Sequence, residues 1–164
     1  MLREPHDLAA RLGLNVPREQ WPNQRTLGEY AGAGFRWVQF HAPPRAVLRE
    51  GSLAREHARA LRALLDPTGM RLVLHAPDDL SAGTPEGDRV FEALLDYAAE
   101  AGAELIAYHA LNFPELGGRE AKLVRDRAAQ EEDSLAHLLS RAQTLELTVA
   151  CENLAPVFPG SRRV

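Results

Sequence analysis

Three apolar runs end in a histidine, and those histidines fall at one fixed interval. His41, His75 and His109 are each 34 residues apart, and the words they open are alike: HAPP at 41–44, HAPD at 75–78 and HALN at 109–112. Repetition at that period marks stacked copies of one supersecondary unit. Two further runs of the same kind flank them, giving RLGLN (11–15), FRWVQFH (35–41), MRLVLH (70–75), ELIAYH (104–109) and LTVACEN (147–153). All are rich in aliphatic or aromatic residues and too short for helices. They read as strands near 11–15, 35–41, 70–75, 104–109 and 147–152.

Helical patterns lie between the strands. Thr26 and Glu29 have capping-box spacing ahead of a short helix closed by Gly34. Ser52 stands as the cap of a second helix, with Leu53, His57, Leu61, Leu64 and Leu65 on its apolar face and a stop at Asp66-Pro67. Thr84 and Pro85 open a third, which carries Val90, Phe91, Leu94, Leu95 and Ala98 and ends at Gly102. A longer helix over about 119–145 places Val124, Ala128, Leu135, Leu138, Leu139 and Ala142 on one side.

Alternating strands and helices predict right-handed βαβ units around a parallel sheet. A doubly wound nucleotide-binding sheet would need a glycine-rich turn after its first strand. That turn reads NVPREQWPN, without glycine. A (β/α)8 barrel gathers its chemistry from the C-terminal ends of many strands instead, and the runs above end in Asn, His or Glu. The expectation is therefore an α/β chain, one partial TIM-barrel domain over 1–164 that holds the N-terminal five βα units. Five units in 164 residues average about 33 each, so eight would need roughly 260. The barrel is expected to be incomplete after its fifth strand, with open edges through which copies could pair.

Composition narrows the function. The net charge is −4 and the only terminal basic cluster is Arg162-Arg163, which disfavours a nucleic-acid surface. No apolar run is long enough to span a membrane, and the start lacks a signal-peptide pattern. With the single Cys151, these features point to a cytoplasmic protein. Motifs of the CxxC, HExxH, Walker and GxSxG types are absent.

Strand parity selects the candidate site. Residues two apart share a face, so Glu152, His109, His75, His41 and Asn15 are expected to converge on one mouth. Glu152 suits ligation of a divalent metal or proton abstraction, and His75 and His109 are good metal ligands. Cys151 has the opposite parity and reads as a small buried hydrophobe. Asp78 and Asp79 read as Asx-turn residues, Trp37 as core filling, and His6, His57 and His137 as structural or solvent-facing.

At these residues the chain resembles the xylose isomerase-like TIM-barrel superfamily, which includes sugar-phosphate isomerases/epimerases and the endonuclease IV group. The carriers are HAP at 75–77, His109, CEN at 151–153, and RLGLNV followed by TLGEYAGAGFRWVQF; the resemblance spans about residues 10–160. It implies a divalent metal (Mn or Zn, with Mg or Co as options) held by Glu152, also the catalytic base, with His109 and His75 as further ligands on the pattern of the repair branch; in the sugar branch those two positions more often face substrate or are replaced. Substrate contacts fall to His41, Asn15 and Asn153. The repair branch continues its fifth strand as Glu-Asn-Thr-Ala-Gly and its fourth as His-Pro-Gly. Here the segments read Glu152-Asn153-Leu154-Ala155-Pro156 and HALNFPE, which favours sugar chemistry. The resemblance further implies an Asp, a His and a Glu from later strands, so the metal site is expected to be incomplete in this chain. The leading expectation is a metal-dependent isomerase/epimerase-like protein acting on a keto- or aldo-sugar, inactive as this piece. The alternatives are a zinc-dependent enzyme of abasic-site DNA repair and a non-catalytic half-barrel.

Overall fold

A computed structural model describes residues 12–18, 20–110 and 121–153. Its elements are β1 (Gly13–Asn15), α1 (Gln24–Gly32), β2 (Trp37–His41), α2 (Arg45–Arg49), α3 (Gly51–Leu65), a 3-10 turn (Asp66–Thr68), β3 (Arg71–His75), α4 (Pro85–Ala101), β4 (Ala103–Ala110), α5 (Ala121–Thr144) and β5 (Thr148–Asn153). The five strands form one sheet in chain order, and all neighbours are parallel. This is the five-unit portion of a TIM barrel expected from the repeat.

The alternation of side chains divides the sheet as the parity argument requires. Val38, Phe40, Leu72, Leu74, Ile106 and Tyr108 are buried and join Leu61, Val90, Phe91, Leu94 and Leu138 in one core beneath the helices. Gln39, His41, Val73, Leu105, Ala107 and His109 on the other face are only part-buried, and Thr148, Ala150 and Glu152 are exposed. Trp37 lies on this second face, where the Arg71 guanidinium sits 3.8 Å over its ring and also pairs with Glu104.

Helix α4 forms as its sequence dictates. The Thr84 side chain caps the Gly87 amide, Pro85 occupies the first turn, and Gly102 ends the helix in the left-handed region at φ 73°. The other helices correct the sequence reading. In α1 the cap is Asn23, whose side chain accepts from the Thr26 amide at 2.9 Å, so Thr26 lies inside the helix. Ser52 likewise sits within α3, because the short α2 precedes it and Glu50 takes the cap position. The buried face of α3 is Ala54, Ala58, Leu61 and Leu65, and Leu53 is exposed; two alanines let this helix approach its neighbours closely. On α5 only Leu138, Ala142 and Glu131 are fully buried. Val124 shares their side but lies in the part of α5 that is exposed, and Leu139 is exposed on the flank.

Cys151 is a further correction. It faces the helix side, as its parity predicted, but is exposed rather than buried. Its strand is an edge of the described sheet, so among the described residues a neighbouring strand covers it on one side. Partial burial, with the Glu131 charge adding to it, pushes the thiol above its ordinary pKa. Native protein is therefore expected to react completely but slowly with iodoacetamide, at a rate still climbing near pH 9. A thiol already fully reactive at pH 7, followed by mass spectrometry, would contradict this environment.

Candidate metal centre

The candidate site grows from the C-terminal ends of β3, β4 and β5. In the strand register His75 lies beside Ala107, and His109 beside Glu152. β4 therefore runs on past the end of β3, and the register shift between Leu72 and Val73 puts Ala107, of the same strand parity as His109, level with His75. The stagger lets His109 lean across, and the two imidazole rings meet edge to face with centroids 4.6 Å apart.

The hydrogen bonds of His75 define which nitrogen is free to bind. Its Nδ1 lies 2.7 Å from the Ala76 carbonyl oxygen. A carbonyl only accepts, so Nδ1 carries the proton and Nε2 presents a lone pair. The His109 Nε2 stands 3.1 Å from that atom and donates to it while no ion is bound. Glu152 Oε2 completes a triangle, 3.4 Å from His109 Nε2 and 3.9 Å from His75 Nε2. Three donors at these separations can share one ion whose bonds to nitrogen and oxygen are about 2.0–2.2 Å. The donor set therefore fits a divalent cation on both spacing and chemistry.

His75 is buried, His109 is half-buried and Glu152 is exposed, so the centre opens on the side of Glu152. His41 stacks beside the cluster, its ring centroid 4.7 Å from that of His75. Its Nδ1 lies 3.3 Å from the Arg18 guanidinium, and the same nitrogen of Arg18 donates to Asp78 Oδ2 at 2.8 Å. Asn15 is exposed at the end of β1, in register with Gln39 of β2. Asn153 ends β5 in register with Ala110, one residue beyond Glu152.

Asp78 and Arg18 are the residues that sequence reasoning missed. Asp78 does more than close a turn. Its Oδ1 is 3.8 Å from His75 Nδ1 and 3.9 Å from His109 Nδ1. Partial burial works against its charge, but the Arg18 hydrogen bond and charge, helped by His75 and His109, keep its carboxyl below the ordinary range. A visible signal existed in the second copy of the repeat, whose fourth residue makes HAPD of HAPP. For Arg18, in a loop without periodicity, none did.

A cavity of about 710 Å³ opens at the same end of the sheet, lined among others by Arg18, Trp21, His41, Val47, His57 and Asp78. That volume lies in the range of small-molecule pockets. His57 is structural as expected: its Nδ1 bonds the Tyr97 hydroxyl at 2.7 Å, Trp21 meets its ring edge at 4.5 Å, and burial lowers its pKa.

The model of the family described as "Xylose isomerase-like TIM barrel" matches residues 27–162. The chain belongs to this family. No curated protein sequence matches it. Among solved structures, this xylose isomerase-like barrel is similar to a D-tagatose 3-epimerase-like protein (TM-score 0.64, 19% identity, 90% of this chain and 54% of that one). It is also similar to D-psicose 3-epimerase in the presence of D-fructose (TM-score 0.63, 12% identity, 85% and 50%). A xylose isomerase domain protein from Planctomyces limnophilus superposes with a TM-score of 0.56 at 18% identity, over 85% and 51%. At these identities the likeness establishes the fold, and the chain spans about half the length of each structure. No described helix is long and apolar enough to cross a membrane.

Proposed function

We propose that this chain carries part of a divalent-metal-dependent sugar isomerase or epimerase site, which moves a proton beside a substrate carbonyl. The observation that carries the reading is the convergence of His75 Nε2, His109 Nε2 and Glu152 Oε2 within 3.1–3.9 Å. His75, His109 and Glu152 would hold the ion. A bound divalent ion would supply Lewis-acid polarisation of the substrate oxygens.

The chain's own groups do the rest. Glu152 takes the proton from the carbon beside the carbonyl, giving an enediolate; delivered to the neighbouring carbon that proton completes an isomerisation, whereas inversion needs a second acid that protonates the opposite face. His41, beside His75 at the cavity wall, contacts substrate hydroxyls, and Asn15 and Asn153, at the ends of β1 and β5, are assigned as further substrate contacts. The three donors leave other coordination positions for substrate, water or further ligands.

Deuterium exchange tests the proton step directly. With the remaining strands of the barrel supplied, incubation with Mn²⁺ and a ketohexose in deuterated water is expected to place deuterium on the carbon beside the carbonyl, followed by NMR. Glu152→Gln is expected to slow that exchange by roughly 100-fold or more. Equal exchange in the variant would remove Glu152 as the base.

A second reading is favoured by the donor set itself. Two imidazoles with one carboxylate is a set that hydrolytic zinc sites use, which suits phosphodiester cleavage at abasic DNA. It predicts zinc in the purified protein and retention on an abasic duplex that weakens steeply with salt. The sugar reading predicts no retention at low salt.

A further inference from the structure

We propose that Asp78 is a positioning residue that aims both histidines of the candidate metal centre. Held by Arg18, its carboxylate faces the two Nδ1 atoms, so that the two Nε2 atoms turn toward Glu152. The proposal rests on the metal-holding reading above and assigns a role to a residue outside the donor set.

An imidazole that gives one lone pair to a metal carries its proton on the other nitrogen, and that N–H needs an acceptor which fixes the ring. His75 has two such acceptors, the Ala76 carbonyl at 2.7 Å and Asp78 Oδ1 at 3.8 Å. For His109 the acceptor facing Nδ1 among the described residues is Asp78 Oδ1, at 3.9 Å. Separations of this size are bridged by one water. Asp78 therefore matters more to His109 than to His75.

Arg18 explains why Asp78 stays in place although its side chain is 53% exposed. The guanidinium binds Oδ2 at 2.8 Å and leaves Oδ1 to the imidazoles. Pro77 stiffens the link between Ala76 and Asp78. His41, His75 and Asp78 also lie close enough to be read as a second cation site. The Arg18 guanidinium, against both His41 Nδ1 and Asp78, puts a fixed positive charge at that position, which disfavours an ion there.

The test compares Asp78→Ala, Asp78→Asn and Asp79→Ala, the last removing a neighbouring carboxylate that pairs with Arg45. In Co²⁺ titrations Asp78→Ala is expected to bind about tenfold more weakly, the low end of the range for lost outer partners of metal-ligating histidines. Asp78→Asn keeps an acceptor oxygen and is expected within about threefold of the parent, with Asp79→Ala unchanged. An Asp78→Asn affinity as low as that of Asp78→Ala would mean that charge alone acts, and would overturn the proposal.

A second readout needs no metal. In imidazole ¹⁵N spectra of the metal-free protein, Asp78→Ala is expected to move the His109 signals and spare the His75 Nδ1–H, which keeps the Ala76 carbonyl. His109 signals that do not move overturn the proposal, whatever the affinities. If the parent binds no Co²⁺ but Asp78→Ala moves the His109 signals, the positioning role stands and the metal reading fails.

Discussion

Gly87→Ala is expected to lower the melting temperature by roughly 10 °C. A Cβ on Gly87 would overlap the Ser81 carbonyl oxygen and stand 2.9 Å from Thr84 Oγ1. The carbonyl is backbone and cannot rotate aside, so either the first turn of α4 or the loop before it must move. Overpacking of this kind costs about 1–3 kcal/mol, and a disturbed Thr84 cap adds about 1 kcal/mol. Each kcal/mol is worth roughly 2–4 °C in a chain of this size. The same loop supplies the Ala82 amide that donates to the Tyr108 hydroxyl at 2.9 Å and the Gly83 amide that donates to Asp88 at 2.7 Å, so both bonds are strained together. Gly28→Ala and Gly32→Ala in α1 provide the opposite sign. A Cβ at either meets nothing within 4 Å, and helical alanine is expected to stabilise by about 0.4–1 kcal/mol. Calorimetry on the three variants decides the matter; a Gly87→Ala protein as stable as the parent would mean that this close approach does not occur.

His75→Ala is expected to weaken Zn²⁺ or Co²⁺ binding by more than the ~100-fold that marks the upper end for outer partners, because it removes a donor itself. Its Nε2 is one corner of the triangle, 3.1 Å from His109 Nε2 and 3.9 Å from Glu152 Oε2. His41→Ala is the matched control, since it deletes a stacked imidazole outside that triangle and is expected to change affinity by no more than a few-fold. Titration calorimetry at fixed pH reads both. Equal losses in the two variants would show that His41 ligates and that the donors are wrongly assigned.

The sequence carried these positions to different degrees. Strand ends were legible because an internal 34-residue repeat phases them, and alternation then puts His41, His75, His109 and Glu152 on one face. Helix α4 was legible from Thr84 to Gly102 because both of its ends are set locally by a cap and a left-handed glycine. The faces of α3 and α5 were not. Leu53, Val124 and Leu139 satisfy helical periodicity but point where the described structure has no cover. Periodicity reports which residues share a side, and only neighbours determine which side is buried.

By itself the sequence determined that this chain builds consecutive βα units with imidazole and carboxylate at the strand ends, since hydrophobic period, caps and strand parity are local properties. The tertiary structure decided which of those groups meet. His75 and His109 are level with different partners in the register, and it is the stagger of β4 past β3 that brings their Nε2 atoms to 3.1 Å. It also decided that Arg18 and Asp78, 60 residues apart, form one ion pair behind the histidines. Such a contact depends on how the loops after β1 and β3 meet across the end of β2, and no spacing within either loop encodes it.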